Sequence, residues 1–486
     1  MISVQLNKRD FEYDVHSLVQ AFYPGMEVSV FSKGEKEQED YELGISLFYG
    51  EDQIEIQLFS RDGSLLLQDV EQVVFAGERK ETKNHLKRLV YRALSRHTGK
   101  KLPWGCLTGI RPVKIPMALL EQGMKNTEIA DYMKQTYLTS NEKTALSIMI
   151  ANRERHILQD INYEKGYSLY IGIPFCPSIC LYCSFSSSPL QVWKDRVEDY
   201  LETLYKEIAY GAAQYRERIL NTVYIGGGTP TTLEAEQLDN LLKEIRKHFD
   251  LSRVKEFTVE AGRPDSITRE KLEVLKKHAV TRISINPQTM NQKTLDIIGR
   301  LHSVEQTKEA FFMARRLGFN NINMDLIVGL PGEEKAEVEH TLKEVMELRP
   351  DSITVHSLAL KRAARLSMFK DQYKEMTFMN SKEIMNMVAD YTGSAGMYPY
   401  YLYRQKNMAG NFENVGYAKE NKAGMYNILI MEEKQSILAL GAGASTKIVL
   451  PGRIERIENV KDIKSYIERI DEMIERKRQG FLKYGK

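Results

Sequence analysis

From Tyr167 onward the chain repeats one rhythm, a short apolar strand, a loop and an amphipathic helix, and no other feature restricts its fold as tightly. Strands are expected at 168–175, 222–225, 256–260, 282–286, 321–328 and 352–358, with amphipathic helices such as 233–249 and 304–317 between them. Strands joined by helical crossovers pair in parallel, because each crossover carries the chain back to the end of the sheet at which the previous strand began. The expected fold class is therefore α/β, an open six-unit (βα) partial barrel. Ligands of such barrels gather at the C-terminal ends of the strands, so the loops there are where chemistry belongs.

Either side of that region the pattern differs. Residues 1–100 carry short alternating runs, such as 41–48 and 54–59, that read as antiparallel strands, followed by a helix over 81–97, and predict an N-terminal α+β accessory domain. Residues 101–165 read as a helical connecting region, with a loop between Pro103 and Pro112 and helix over 126–158. The barrel is expected over 166–365 and a C-terminal α+β extension over 366–486, with a helix at 382–391, a Tyr-rich strand at 397–404, a Gly-rich segment at 440–445 and a charged helix at 460–478. Lys and Arg total 68 against 66 for Asp and Glu, so charge gives no reason to expect a nucleic-acid partner. With no signal-like N-terminus and no apolar run long enough to span a bilayer, a cytoplasmic location is expected.

Three of the four cysteines fall within 176–183, a metal-site distribution rather than a disulfide framework. Cys176-x3-Cys180-x2-Cys183 follows the first barrel strand directly. Three thiolates on one loop can ligate three irons of a cubane, leaving the fourth iron open unless Cys106 supplies a ligand. An open iron can chelate the amino and carboxylate groups of S-adenosylmethionine (SAM). A zinc knuckle would close with four ligands, and no second Cys-x2-Cys or His follows at that spacing. Cys106 itself is either a buried thiol or a hydrogen donor over the cluster mouth, and is the one catalytic candidate. Gly226-Gly-Gly-Thr-Pro230 follows the second strand, where glycines let backbone approach a ligand and leave N–H groups free. Glu260 ends the third strand, placed either to accept from ribose hydroxyls or to bridge a barrel cation.

The cysteine spacing is the signature of the radical SAM superfamily. Over about residues 170–445 the chain resembles the oxygen-independent coproporphyrinogen III oxidase family, more closely its HemZ-type branch. That resemblance implies a [4Fe-4S] cluster on Cys176, Cys180 and Cys183. It also implies SAM contacts from Tyr170, Tyr182, Gly227, Gly228, Thr229, Glu260, Gln288, Arg300 and Asp325, with backbone contact at Ala359. Local ion pairing is the other reading for Arg300 and Asp325, and core packing for Tyr170 and Tyr182. The implied activity is oxidative decarboxylation of coproporphyrinogen III or a related tetrapyrrole through a 5′-deoxyadenosyl radical, with a reductase, flavodoxin or ferredoxin as electron donor. Heme delivery of the heme-chaperone type, or another tetrapyrrole modification, is the alternative. The chain departs from the family at two places. Phe185 stands where proven oxidases carry a further cysteine, and Glu413-Asn-Val-Gly-Tyr-Ala418 lacks the histidine and tryptophan of the heme-chaperone signature. The Tyr398–Asn407 stretch either packs on the barrel or offers aromatic faces to a macrocycle, with Arg404 or Lys406 for its propionates.

Overall fold

The computed structural model describes residues 1–32, 40–50, 52–73, 79–184, 187–359, 380–405 and 412–484. The chain forms two compact units, one of Met1–Asn152 with the described part of Arg404–Asn407, the other of Arg153–Tyr403 with the described part of Met408–Lys486. The division thus falls at Asn152, rather than at the expected boundaries of 100 and 165.

In the first unit, β1 (Ile2–Leu6), β2 (Val28–Ser32), β3 (Leu43–Tyr49), β4 (Gln53–Ser60) and β5 (Leu65–Gln72) form one sheet in the order β2-β1-β3-β4-β5. The antiparallel β3–β4 pair is the one expected from the alternation of Ile45 and Leu47 with polar neighbours. The sequence reading overlooked β1, which pairs in parallel with both β2 and β3. Helix Arg79–Thr98 buries Leu86, Leu89, Val90, Ala93 and Leu94, the stripe that a 3.6-residue period places on one face. The stretch expected as helix over 126–158 is two helices, Asn126–Tyr137 and Asn141–Ile157, separated where Leu138 turns left-handed (φ 57°).

The second unit contains the six expected parallel strands in chain order: β6 (Gly166–Ile173), β9 (Ile219–Gly227), β10 (Glu256–Glu260), β11 (Arg282–Ser284), β12 (Ile322–Val328) and β13 (Ser352–Ser357). Between β6 and β9, the two-residue strands β7 (Phe175–Cys176) and β8 (Ser188–Pro189) pair in parallel and close the base of the cysteine loop. The strands alternate in a telling way. Leu169, Ile171, Val223, Ile225, Phe257, Val259, Ile283, Ile353 and Val355 are all buried on one face. The opposite face, matched across the register Tyr170↔Tyr224↔Thr258 and Glu260↔Ser284↔Asn323, is polar. A barrel interior is ordinarily filled by branched apolar side chains. This one is lined instead with hydroxyls, amides and carboxylates, most of them paired with one another, as Ser168 is with Thr222 and Tyr224 with Glu260.

Residues 366–486 were expected as an extension beyond the barrel, and their described strands instead complete its sheet. Strand β15 (Asn414–Ala418) runs antiparallel to β13 and to β14 (Tyr398–Tyr403), while β16 (Ser436–Leu440) pairs in parallel with β6 and carries β17 (Ser445–Leu450) and β18 (Arg453–Glu458). Strands β6 and β13 never pair, so the six-strand arc stays open with both edges covered. Helix Met425–Glu432 crosses the polar face. Its first amides, at Met425 and Tyr426, donate to the Glu256 carboxylate at 2.6 and 3.1 Å, and its Tyr426 ring stacks on Tyr224 with centroids 4.4 Å apart.

The charged C-terminal segment, expected as one helix, forms two, Ile463–Glu468 and Ile470–Tyr484. A buried ion pair fastens it to the barrel: Lys477 Nζ lies 2.8 Å from Glu207 Oε1, both fully buried. Glu207 also accepts from Tyr466 (2.6 Å), Asn459 (2.7 Å) and the Gly441 amide (2.8 Å). Removing one member of such a pair strands the other charge. Lys477→Met is therefore expected to cost about 3–5 kcal/mol in denaturant unfolding, with most of the loss recovered in the Glu207→Leu, Lys477→Met double variant.

Candidate active site

The cysteine loop is fastened by three hydrogen bonds at the C-terminal mouth of the strands. The Leu181 amide donates to Ile298 O (2.9 Å), Ser178 Oγ to Gly299 O (3.1 Å) and the Ser188 amide to Pro174 O (2.8 Å). All three cysteines are free thiols, Cys180 buried and the others half-buried. Cys176 Sγ sits 3.6 Å from Thr229 Oγ1. Burial pushes the Cys176 thiol up, against the opposing hydrogen bonds of Thr229 and Ser187. Three thiols on one short loop form a donor set that suits three irons of a cubane.

The glycine turn after β9 does something other than its sequence suggested. The amides of Gly228 and Thr229 are not free: they donate to Ile173 O and Phe175 O, each at 2.7 Å, and so tie this turn to the cysteine loop. A Cβ on Gly228 would stand 2.5 Å from Phe175 O. Glycine is needed here because two backbones meet. Gly227, at φ 108°, turns its amide to the Glu260 carboxylate instead.

Glu260 accepts a hydrogen bond from the Tyr224 hydroxyl, not from a barrel lysine or arginine. Its carboxyl is pushed up to about 7 by burial, reinforced by Asp325 and opposed by Tyr224 and the Gly227 amide. Asp325 moves the other way: burial raises it, but His356, Asn323 and Thr354 together hold it below the usual range. Its partners are Asn323 Nδ2 at 2.7 Å and His356 Nε2 at 3.9 Å, so Asp325 and Arg300 do not pair with each other. The guanidinium of Arg300 is buried and donates to Asn286 O (2.6 Å), Gly262 O (3.4 Å) and the Tyr182 hydroxyl (3.2 and 3.3 Å). Tyr170 stacks with Tyr224 and Tyr426, at 6.2 and 6.4 Å between centroids. Gln288 is held left-handed (φ 69°) between Asp325 O and the Ile327 amide, and its buried Oε1 has no partner. Thr258 Oγ1 and Ser284 Oγ on the polar face are also unpartnered. Unmatched buried acceptors and hydroxyls beside two carboxylates fit the ribose hydroxyls and ammonium group of SAM. Ala359, half-buried, follows β13 at this same mouth.

Two of the expected residues belong to the first unit. Cys106 is buried in the first unit, its thiol 3.9 Å from Thr136 O and pushed up by burial. Arg404, expected to meet propionates, is buried in the first unit, where it donates to Leu107 O (2.7 Å) and lies 5.7 Å from the Trp104 ring. Phe185 and Lys406 lie outside the described residues. The 413–418 segment forms buried strand β15, and Asn414 Oδ1 accepts from the Ser357 amide at 2.8 Å. Sequence reasoning missed Tyr224, Arg263, His356 and Tyr426. For Tyr224 and His356 the signal was present, in the polar alternation Thr222-x-Tyr224 and Thr354-x-His356 within otherwise apolar strands.

Comparison with known proteins agrees with this geometry. Residues 170–345 match the model of the radical SAM superfamily. The chain is 43% identical over 404 residues to the oxygen-independent coproporphyrinogen-III oxidase-like protein HemZ of Bacillus subtilis, covering 82% of this chain and 81% of that protein. It is 32% identical over 285 residues to the heme chaperone HemW of Lactococcus lactis, covering 58% and 70%. Among solved structures, coproporphyrinogen III oxidase (HemN) of Escherichia coli shares the fold, with a TM-score of 0.52, 23% identity and coverage of 64% and 70%.

Two outcomes are expected of this site. Gly228→Ala, by driving Phe175 away, should lose most of the iron taken up on anaerobic reconstitution, measured per folded chain. Because the Glu260 carboxyl is raised to about 7, its ionised form, the better acceptor for a ribose hydroxyl, prevails only above that pH. SAM affinity by equilibrium dialysis should therefore strengthen as pH rises through that value, and Glu260→Gln should be weaker and flat.

Proposed function

The chain belongs to the radical SAM superfamily, in the family of oxygen-independent coproporphyrinogen III oxidase-like proteins, and on that footing we propose that it oxidatively decarboxylates propionate side chains of coproporphyrinogen III or a related tetrapyrrole. When bound, a [4Fe-4S] cluster and SAM would supply radical chemistry able to remove a hydrogen atom from an unactivated C–H bond. Cys176, Cys180 and Cys183 would hold the cluster, while Glu260, Gln288 and Asp325 would orient SAM from the strand ends. Per propionate, one hydrogen atom, one electron and carbon dioxide leave as the vinyl group forms, so a one-electron acceptor must also be supplied. A flavodoxin- or ferredoxin-type protein would deliver the reducing electron.

The observation carrying this reading is the polar, tyrosine-lined face at the strand ends. Tyr401 and Tyr403 stack on one another there (6.3 Å between centroids), and the Tyr403 hydroxyl lies 3.3 Å from His356 Nδ1. The half-buried Tyr403 ring suits a macrocycle, and its hydroxyl can donate to a propionate. Heme delivery draws less support, because Asn414 and Tyr417, the residues matching the heme-chaperone signature, are buried in β15. The test is anaerobic turnover of the reconstituted chain with SAM, limiting dithionite, an added one-electron acceptor and coproporphyrinogen III, reading deoxyadenosine and tetrapyrrole masses together. Loss of carbon dioxide and two hydrogens per propionate, in step with deoxyadenosine, is expected. Deoxyadenosine with an unaltered tetrapyrrole would contradict the proposal. Tyr403→Phe is expected to raise KM about tenfold, the worth of one charge-assisted hydrogen bond, while leaving deoxyadenosine formation in the absence of substrate intact.

A further inference from the structure

Three residues past Glu260, the chain places a second buried arginine against the cysteine loop. Arg263 is only 3% exposed, and its Nη1 points at Cys180 Sγ (3.5 Å), Ser178 Oγ (3.1 Å) and Ser178 O (3.4 Å). Its Nε and Nη2 are held in a fork by the two Asp265 oxygens, at 2.9 and 2.7 Å, which fixes the direction of Nη1. Arg300 approaches the same loop through Tyr182, and its hydrogen bonds go only to neutral partners. Between Ser178 and Tyr182 there are thus two buried guanidiniums and, in Asp265, one bonded carboxylate. His302 beside them adds no charge near neutral pH, being pushed down to about 3 by burial and by Arg300. A buried surplus of positive charge is costly unless an anion shares the site. As a cluster ligand Cys180 would be a thiolate and would supply that anion, 3.5 Å from Arg263 Nη1.

We propose that Arg263, aimed by Asp265, is the positioning residue that hydrogen-bonds the Cys180 thiolate of the bound cluster and raises the cluster's reduction potential. The inference rests on the cluster assignment alone and is independent of the substrate. A positive charge and an N–H···S bond both favour the more negative, reduced state of a cluster, and hydrogen bonds to its sulfurs are among the levers that set its potential. The same Nη1 anchors Ser178, so the contact also fixes the turn between the first two ligands. Replacing the fork by lysine would keep the charge and lose the aim.

The test is an EPR-monitored redox titration of the full-length, reconstituted chain without SAM, alongside iron content and circular dichroism. Arg263→Gln is expected to make reduction about tenfold less favourable, a shift of 59 mV to lower potential for one electron. Arg263→Lys should recover part of that shift. Asp265→Asn, which keeps the cation and removes its counter-charge, should move the potential the other way. If Arg263→Gln holds no iron, Arg263→Lys and Asp265→Asn still carry the test, the first expected below the unsubstituted chain and the second above it. Folded, iron-loaded variants that all titrate at the unsubstituted potential would overturn the proposal, as would shifts all of one sign, which loosened packing alone produces. An unsubstituted chain that takes up no iron would overturn the cluster assignment and the role of Arg263 with it.

Discussion

Two stretches of backbone meet where the turn after β9 touches the loop after β6, and the rest of the site is arranged around that contact. The Gly228 and Thr229 amides bond to Ile173 and Phe175 across a gap too narrow for a side chain. This close approach fixes where the first cysteine of the loop emerges, because Phe175 immediately precedes Cys176. From there the loop is handed on to Gly299, Ile298 and Arg263, groups on later barrel units. Rigid strand ends thus hold a loop that has little regular structure of its own, which is how barrel scaffolds generally hold their chemistry.

The interior follows from the same geometry. A strand buried on both faces is ordinarily apolar throughout. Here each barrel strand keeps one apolar face for its helices and gives the other to polar groups, and several of these, including Gln288 Oε1, are left without a protein partner. The C-terminal segments make this tolerable by covering both edges of the arc and laying helix Met425–Glu432 across it, so that Tyr170, Tyr224 and Tyr426 stack beneath the carboxylates. The buried Glu207–Lys477 pair then ties the final helix to the barrel helix that follows the cysteine loop.

The parallel core was legible in the sequence because strand and helix periods differ sharply: the strand expected at 256–260 is found there unchanged. The cysteine loop was equally plain from its spacing. What escaped was whatever depends on non-local pairing. That 436–440 would lie beside β6 cannot be seen in a short apolar run, since period alone does not choose a partner. The Gly228 and Thr229 amides, expected to be free, bond to Ile173 and Phe175 for a related reason: backbone partners across two loops are non-local and leave no mark in a Gly-rich turn. Arg263 was passed over because nothing in Gly262-Arg-Pro-Asp265 announces a buried fork. The polar alternation of the strands was readable throughout, and it marks Tyr224 and His356 as interior residues.

The central claim is that the three cysteines hold a cluster with one iron open to SAM, and the most direct measurement is the EPR spectrum of the reduced, reconstituted chain with and without SAM, paired with iron and sulfide content. The account predicts about four irons per chain and a spectrum that changes when SAM binds, both lost when Cys183 is replaced by alanine. A spectrum indifferent to SAM, or a chain that retains zinc in place of iron, would contradict it.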